Sequence, residues 1–285
     1  MLMRDAEGSI QSTERLSTRV IIAQDDEQWT AWAAEEFVWT AAASVMARGA
    51  FHVVVPGGST PRAVLSRVSI RRDVIVDPSV DRAAGAGSWK NAGSLSRVGR
   101  TIALDDVWPH THVYFGDERG VGPDHPDSNF RMVRDTWLAK VPIPEHQVHR
   151  IPGERPLEEA ARDYADLLSA TFDRIRGFDL VVLGLGPDGH TASLIPGTPL
   201  DYVAQSWVGV GPAPLSPAKV RRVTMTAAAL RRTSRTVFWA KGAEKADVVH
   251  SALGGDGIQT IVPEVLPNSG TVTWMLDSES AAGLR

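Results

Sequence analysis

The chain has 285 residues, enough for one large α/β domain or two small ones, and 43% of them are apolar, enough for a sizeable core. A net charge of −4 argues against nucleic acid or a membrane surface as a main partner. No apolar run approaches the ~20 residues of a membrane span, and the lack of cysteine rules out disulfides, thiolate zinc sites and a Cys nucleophile.

Residues 1–17 are polar, lack the apolar core of a signal peptide and read as a flexible N-terminal arm of a cytoplasmic protein. A first strand is expected at Thr18-Arg-Val-Ile-Ile-Ala23. Asp25 or Asp26 then caps a long helix over Glu27 to Arg48, whose apolar residues recur at helical spacing. Gly49 is its stop. Phe51-His-Val-Val-Val55 is a β-branched strand. It runs into the turn Pro56-Gly-Gly-Ser-Thr-Pro61, and a helix follows from Pro61 to Val68. Residues 73–106 contain an Ala-, Gly- and Ser-rich run and read as an exposed loop insertion.

His112-Val-Tyr-Phe115 is the next strand and ends in Gly116-Asp-Glu-Arg119. Asp127 or Ser128 caps a helix to about Ala139, and an amphipathic helix covers Glu158 to Ile175. Phe178-Asp-Leu-Val-Val-Leu183 reads as a buried strand. Arg222-Val-Thr-Met-Thr226, Thr236-Val-Phe-Trp-Ala240 and Thr271-Val-Thr-Trp-Met275 complete the strands, with a helix from Gly242 to about Leu253 between the last two. Strands alternating with helices imply an α/β fold: an open, mainly parallel twisted sheet with helices on both faces.

Chemistry concentrates in three strand-end segments. In Gly184-Leu-Gly-Pro-Asp-Gly-His-Thr-Ala-Ser-Leu194, glycines surround Asp188 and His190. Imidazole is the side chain suited to proton transfer near neutral pH. A tight turn with a surface His is the alternative. Gly57, Gly58, Ser59 and Thr60 precede a helix start, and together their backbone donors, hydroxyls and helix dipole form a phosphate cradle. An ordinary capped helix start would use the same residues. The charged run Asp117-Glu118-Arg119 suits a polar substrate or a solvated loop. Arg222 and Lys245, each near the start of an element, offer point charges for a phosphate or simply face solvent. No His or carboxylate spacing marks a metal site.

The segments Val55-Pro-Gly-Gly-Ser-Thr-Pro61, Val113-Tyr-Phe-Gly-Asp-Glu-Arg119, Asp127-Ser-Asn-Phe-Arg-Met132, Val148-His-Arg-Ile-Pro152, Gly184 to Leu194 with Pro196-Gly-Thr198, Arg222-Val-Thr-Met-Thr226 and Gly242-Ala-Glu-Lys-Ala246, in this order, resemble the 6-phosphogluconolactonase family. The resemblance runs from about Thr18 to about Leu276. It implies a Rossmann-like sugar-phosphate isomerase/lactonase domain over residues 18–285, a monomer or homodimer without metal or organic cofactor. It implies hydrolysis of 6-phospho-D-glucono-1,5-lactone in the oxidative pentose phosphate pathway. By position His190 matches the general base, and Arg119 and Lys245 match contacts to substrate charge. The Gly57 to Thr60 loop matches part of the phosphate pocket, and Asn129 and Arg222 join the substrate-binding set. Asp188 or Asp117 orients His190, and the choice stays open. The chain departs from the family pattern in its longer stretch between Val68 and Val107. The related aminosugar-phosphate deaminases carry a Glu where this chain has Ile195 and an aromatic residue where it has Arg119. Both differences favour the lactonase over a deaminase. A non-catalytic sugar-phosphate sensor is a further alternative.

Overall fold

The computed structural model describes residues 16–77, 99–198, 206–211 and 220–284, with backbone alone at 3–4 and 10–11. The twelve strands from residue 16 onward are β1 (Leu16–Ala23), β2 (Phe51–Val55), β3 (Asp73–Val76), β4 (Arg100–Ala103), β5 (Thr111–Phe115), β6 (Asp117–Arg119), β7 (Val148–His149), β8 (Leu180–Leu183), β9 (Val208–Gly211), β10 (Arg222–Met225), β11 (Arg235–Ala240) and β12 (Gly270–Asp277). The helices are α1 (Asp26–Arg48), α2 (Ser59–Val68), α3 (Asn129–Thr136), α4 (Leu157–Phe172), α5 (Ala227–Leu230), α6 (Ala246–Ala252) and α7 (Val262–Val265). Ahead of them, Met3–Arg4 pairs antiparallel with Ile10–Gln11.

Seven strands form one sheet in the order β1-β12-β11-β8-β2-β5-β7, every pair parallel. Parallel strands need covering on both faces, which is why β8 is buried along its whole length. The chain runs outward from β2 through β5 to β7, then returns through α4 to β8 on the other side of β2. Right-handed crossovers therefore place α1, α2 and α3 on one face and α4 and α6 on the other. The reversal between β2 and β8 is a topological switch point, which opens a crevice at the carboxyl ends of these two strands.

The caps follow the residue types. The Asp25 side chain accepts from Gln28 N–H at 2.7 Å, and Gly49, at φ 79°, closes α1 by donating to the Val45 carbonyl at 2.8 Å. α1 lies under α2 and the β3–β4 hairpin as well as on the sheet, so its buried residues are not confined to one stripe. Trp137 is fully buried and packs edge-on against Phe37 at 5.2 Å and Trp108 at 5.6 Å. Truncating such a ring to Ala costs about 3–5 kcal/mol.

Two expectations need correcting. The ends of the 73–106 insertion are not exposed loop: β3 and β4 pair antiparallel, and Val74, Val76 and Leu104 are buried. Its Ala-, Gly- and Ser-rich centre lies outside the described residues. Asp117–Arg119 does not simply end the preceding strand, and Arg222–Met225 does not join the parallel sheet. β6 and β10 pair antiparallel with each other, and β10 with β9, in a separate three-stranded sheet. Among the described residues no helix is long and apolar enough to cross a membrane.

Neighbouring parallel strands bring His52, His112 and His149 into one stack, with ring centroids 4.6 and 5.5 Å apart. Burial, then the charges of His112, His149 and Arg48, lowers His52 to about 4. Burial, then His112 and His146, lowers His149 to about 4. An unfolded chain binds protons at these rings from about pH 6.5 downward, whereas the folded chain does not until about pH 4. Stability contributed by the neutral stack is therefore complete above that window and lost as pH falls through it. The melting temperature should drop on going from about pH 7 to about pH 4.5, and a His52→Gln/His149→Gln double variant should show a shallower drop. An equally steep profile in the double variant would remove the stack as the cause.

Candidate active site

The His-bearing turn begins at Gly184, directly after β8. Gly186 N–H donates to the His190 carbonyl at 2.7 Å and Gly189 N–H to the Gly186 carbonyl at 3.0 Å, which folds the segment back on itself. Gly189 has φ 84°, and a Cβ there would lie 2.2 Å from the Gln259 carbonyl oxygen. The fold-back brings Asp188 Oδ1 to 2.5 Å from His190 Nδ1. With Nδ1 committed, Nε2 is the ring nitrogen left for a water or a substrate. Burial raises the Asp188 carboxyl, but the hydrogen bond and charge of His190 outweigh it and hold Asp188 below its ordinary value. Gly186 makes the pair possible. A Cβ on it would stand 2.2 Å from His190 Nδ1 and 2.6 Å from Asp188 Oδ1.

Asp117 sits elsewhere. Its buried carboxylate accepts from Asn129 Nδ2 at 2.9 Å, Ser193 Oγ at 2.7 Å and Arg222 Nη1 at 3.2 Å. The carboxylate that holds His190 is therefore Asp188, and Asp117 ties three chain segments together beneath it. Glu118, next in sequence, points away. It accepts the backbone N–H groups of Asn129 and Phe130, each at 2.8 Å, and caps the start of α3 together with Ser128. Burial raises its carboxyl against the pull of those donors.

Arg119 and Arg222 face each other across the β6–β10 ladder. Bonds from Gly120 N–H to the Arg221 carbonyl and from Met225 N–H to the Gly116 carbonyl put the Arg pair at a position without mutual backbone bonds, where side chains come closest. Arg119 also donates to the Asp127 carbonyl, and the Nε atoms of both arginines are buried without a partner among the described residues. On the opposite wall, Gly57 lies against Asn129. A Cβ there would stand 1.8 Å from Asn129 Oδ1, itself buried and unpartnered.

Gly57, Asp117, Arg119, Asn129, His190 and Arg222 thus meet around one crevice of about 230 Å³. It lies at the switch point between β2 and β8. Asp188 stands behind His190. Gly58, Ser59, Thr60 and Lys245 are not part of its wall. Gly58 precedes α2 and gives its first turn no side-chain cap, so that turn presents N–H groups without a cap among the described residues. Lys245 is half-buried close to Asp188; burial lowers its ammonium, while the charges of Glu244 and Asp188 oppose the shift. Sequence reasoning assigned no role to Ser193, although it lies inside the His motif; its partner Asp117 is 76 positions away. Ala192, in the crevice wall, holds the left-handed φ of 50°, also without a local signal. Among the described residues no group of three or more His, Cys, Asp or Glu side chains is placed to hold a metal ion.

The family model described as glucosamine-6-phosphate isomerases/6-phosphogluconolactonase matches residues 94–274. The chain belongs to this family. Within the glucosamine-6-phosphate isomerase/6-phosphogluconolactonase family it is 38% identical to the 6-phosphogluconolactonase of Synechocystis over 62% of this chain and 75% of that protein. To the human 6-phosphogluconolactonase it is 41% identical over 59% of this chain and 66% of the relative. Its fold is similar to the crystal structure of 6-phosphogluconolactonase from Thermotoga maritima, with a TM-score of 0.70 at 23% identity, covering 92% of this chain and all of that one.

The turn depends on a bare backbone at Gly186. Gly186→Ala should push His190 and Asp188 apart and destabilise the fold by about 1–3 kcal/mol, the cost of overpacking. Denaturant titration and imidazole NMR signals report the two effects. Wild-type stability with an unshifted His190 resonance would show that the turn tolerates the methyl group.

Proposed function

We propose that this chain hydrolyses 6-phospho-D-glucono-1,5-lactone to 6-phosphogluconate, with His190 as general base. The observation that carries the reading is the Asp188–His190 pair opening onto the same crevice as the facing Arg119 and Arg222. A proton acceptor and two guanidinium groups in one site suit attack of water on an activated ester that bears a phosphate.

In this mechanism Asp188 accepts a hydrogen bond from Nδ1–H and sets the tautomer, so that Nε2 takes a proton from water as its oxygen attacks the lactone carbonyl carbon. The carbonyl electrons move to oxygen, and a guanidinium at Arg119 stabilises that oxyanion. The C1–O bond to the ring oxygen then breaks, and His190 returns its proton to the leaving oxygen. Arg222, Lys245 and the N–H groups at Gly58, Ser59 and Thr60 hold the phosphate, which fixes the distance between lactone carbon and water. Asn129, anchored on Asp117, offers its unpartnered Oδ1 to a substrate hydroxyl.

Ile195 follows the His turn at a half-buried position and has no ionisable group for the ring opening that a deaminase performs. His190→Ala should lower lactone turnover at least ~100-fold and Asp188→Asn ~10-fold or more, with binding of 6-phosphogluconate retained in both. Stopped-flow or pH-stat assays of lactone hydrolysis, corrected for spontaneous opening, check both values. Ammonia release from glucosamine 6-phosphate without lactone turnover would replace the reading with the deaminase.

A further inference from the structure

The opposite rim of the sheet holds a larger cavity, of about 790 Å³, that the lactonase reaction does not use. It lies at the amino ends of β2, β8, β11 and β12, whereas ligands of open α/β sheets sit at the carboxyl ends. Five arginines line it: Arg48, Arg174, Arg176, Arg231 and Arg232, with Asp179 as the one carboxylate in its wall. Arg48 is spoken for, since its Nη2 lies 2.5 Å from Asp179 Oδ1. Arg231 donates to the Glu264 carbonyl at 2.5 Å and lies 4.0 Å from the Glu264 carboxylate. Arg232 donates to the Arg176 carbonyl at 3.2 Å and stacks on Phe172 at 4.6 Å and Trp207 at 5.3 Å, which fixes its plane. Arg174 and Arg176 are exposed and make no ion pair among the described residues.

A concentration of guanidinium groups in a protein of net charge −4 raises the potential inside a concave site far above that of the surrounding surface. Guanidinium forks match phosphate oxygens two at a time. The remaining wall offers Thr233, Ser234, Asn268 and Ser269, which hydrogen-bond hydroxyl groups. The volume falls in the range of small-molecule sites, and the concavity does not suit a flat protein partner. We propose that this cavity is a second ligand site, for a small metabolite carrying two or more phosphoryl groups. Nucleotides and sugar bisphosphates share that chemistry.

Calorimetric titration of the full-length protein, pre-saturated with 6-phosphogluconate, with sodium tripolyphosphate tests the site. One equivalent should bind with Kd below ~1 mM at low salt. Affinity should fall at least ~10-fold in Arg174→Ser/Arg176→Ser, two exposed side chains without an ion pair among the described residues, while lactone turnover stays at the wild-type value. Tighter binding of ATP than of tripolyphosphate would support the site and name a nucleotide; tighter binding of fructose 1,6-bisphosphate would support it and name a sugar bisphosphate. Unchanged affinity in the double variant, competition by 6-phosphogluconate, or tighter binding of a polyglutamate peptide than of tripolyphosphate would each overturn the proposal.

Discussion

The buried carboxylate of Asp117 is the constraint on which the site is built. A charge withdrawn from water must be met by donors, and Asp117 draws them from three places: Asn129 at the start of α3, Ser193 after the His turn and Arg222 on β10. Each donor fixes a segment that bears a functional group. Losing the carboxylate would leave Arg222 short of its counter-charge, a change that costs about 3–5 kcal/mol for a buried pair. The same three bonds hold the crevice walls at their spacing, so stability and site geometry share one origin.

The parallel sheet explains where polar chemistry is found. The central strands are covered on both faces and reach solvent only at their two ends, whereas the edge strand β1 leaves Val20 and Ile22 exposed. The carboxyl ends carry the imidazole and the facing arginines. The amino ends carry the larger arginine-lined cavity. Between them β2 and β8 are short, buried and apolar apart from His52, so the two rims are separated by a few layers of packed side chains.

What could be read from the chain was local. β-Branched runs marked strands of the parallel sheet, Asp25 or Asp26 and Asp127 or Ser128 marked helix starts, and the glycines around Asp188 and His190 marked a turn with a proton carrier. What could not be read depends on distant partners. Arg119 meets Arg222 through an antiparallel pairing of β6 with β10, and nothing near either residue announces it. The short strands β7 and β9 gain their structure from the neighbours they join. The choice between Asp188 and Asp117 stayed open in the sequence because side chains two apart need not touch. The left-handed backbone at Gly189 brings Asp188 and His190 together, and Ser193, Asn129 and Arg222 occupy Asp117. The interior of the 73–106 insertion resembled a loop by composition, yet its ends form a hairpin because Val74 and Val76 have a hydrophobic surface on α1 to cover.

The facing arginines also have a thermodynamic meaning. Like charges opposed across a ladder repel, and among the described residues a carboxylate, Asp117, pairs with Arg222 but none with Arg119. Their repulsion lowers the stability of the fold at the crevice. In the proposed reaction Arg119 meets the oxyanion and Arg222 the phosphate, so bound substrate would offset that repulsion, and a tighter grip on substrate and a less stable resting state are the same property seen from two sides.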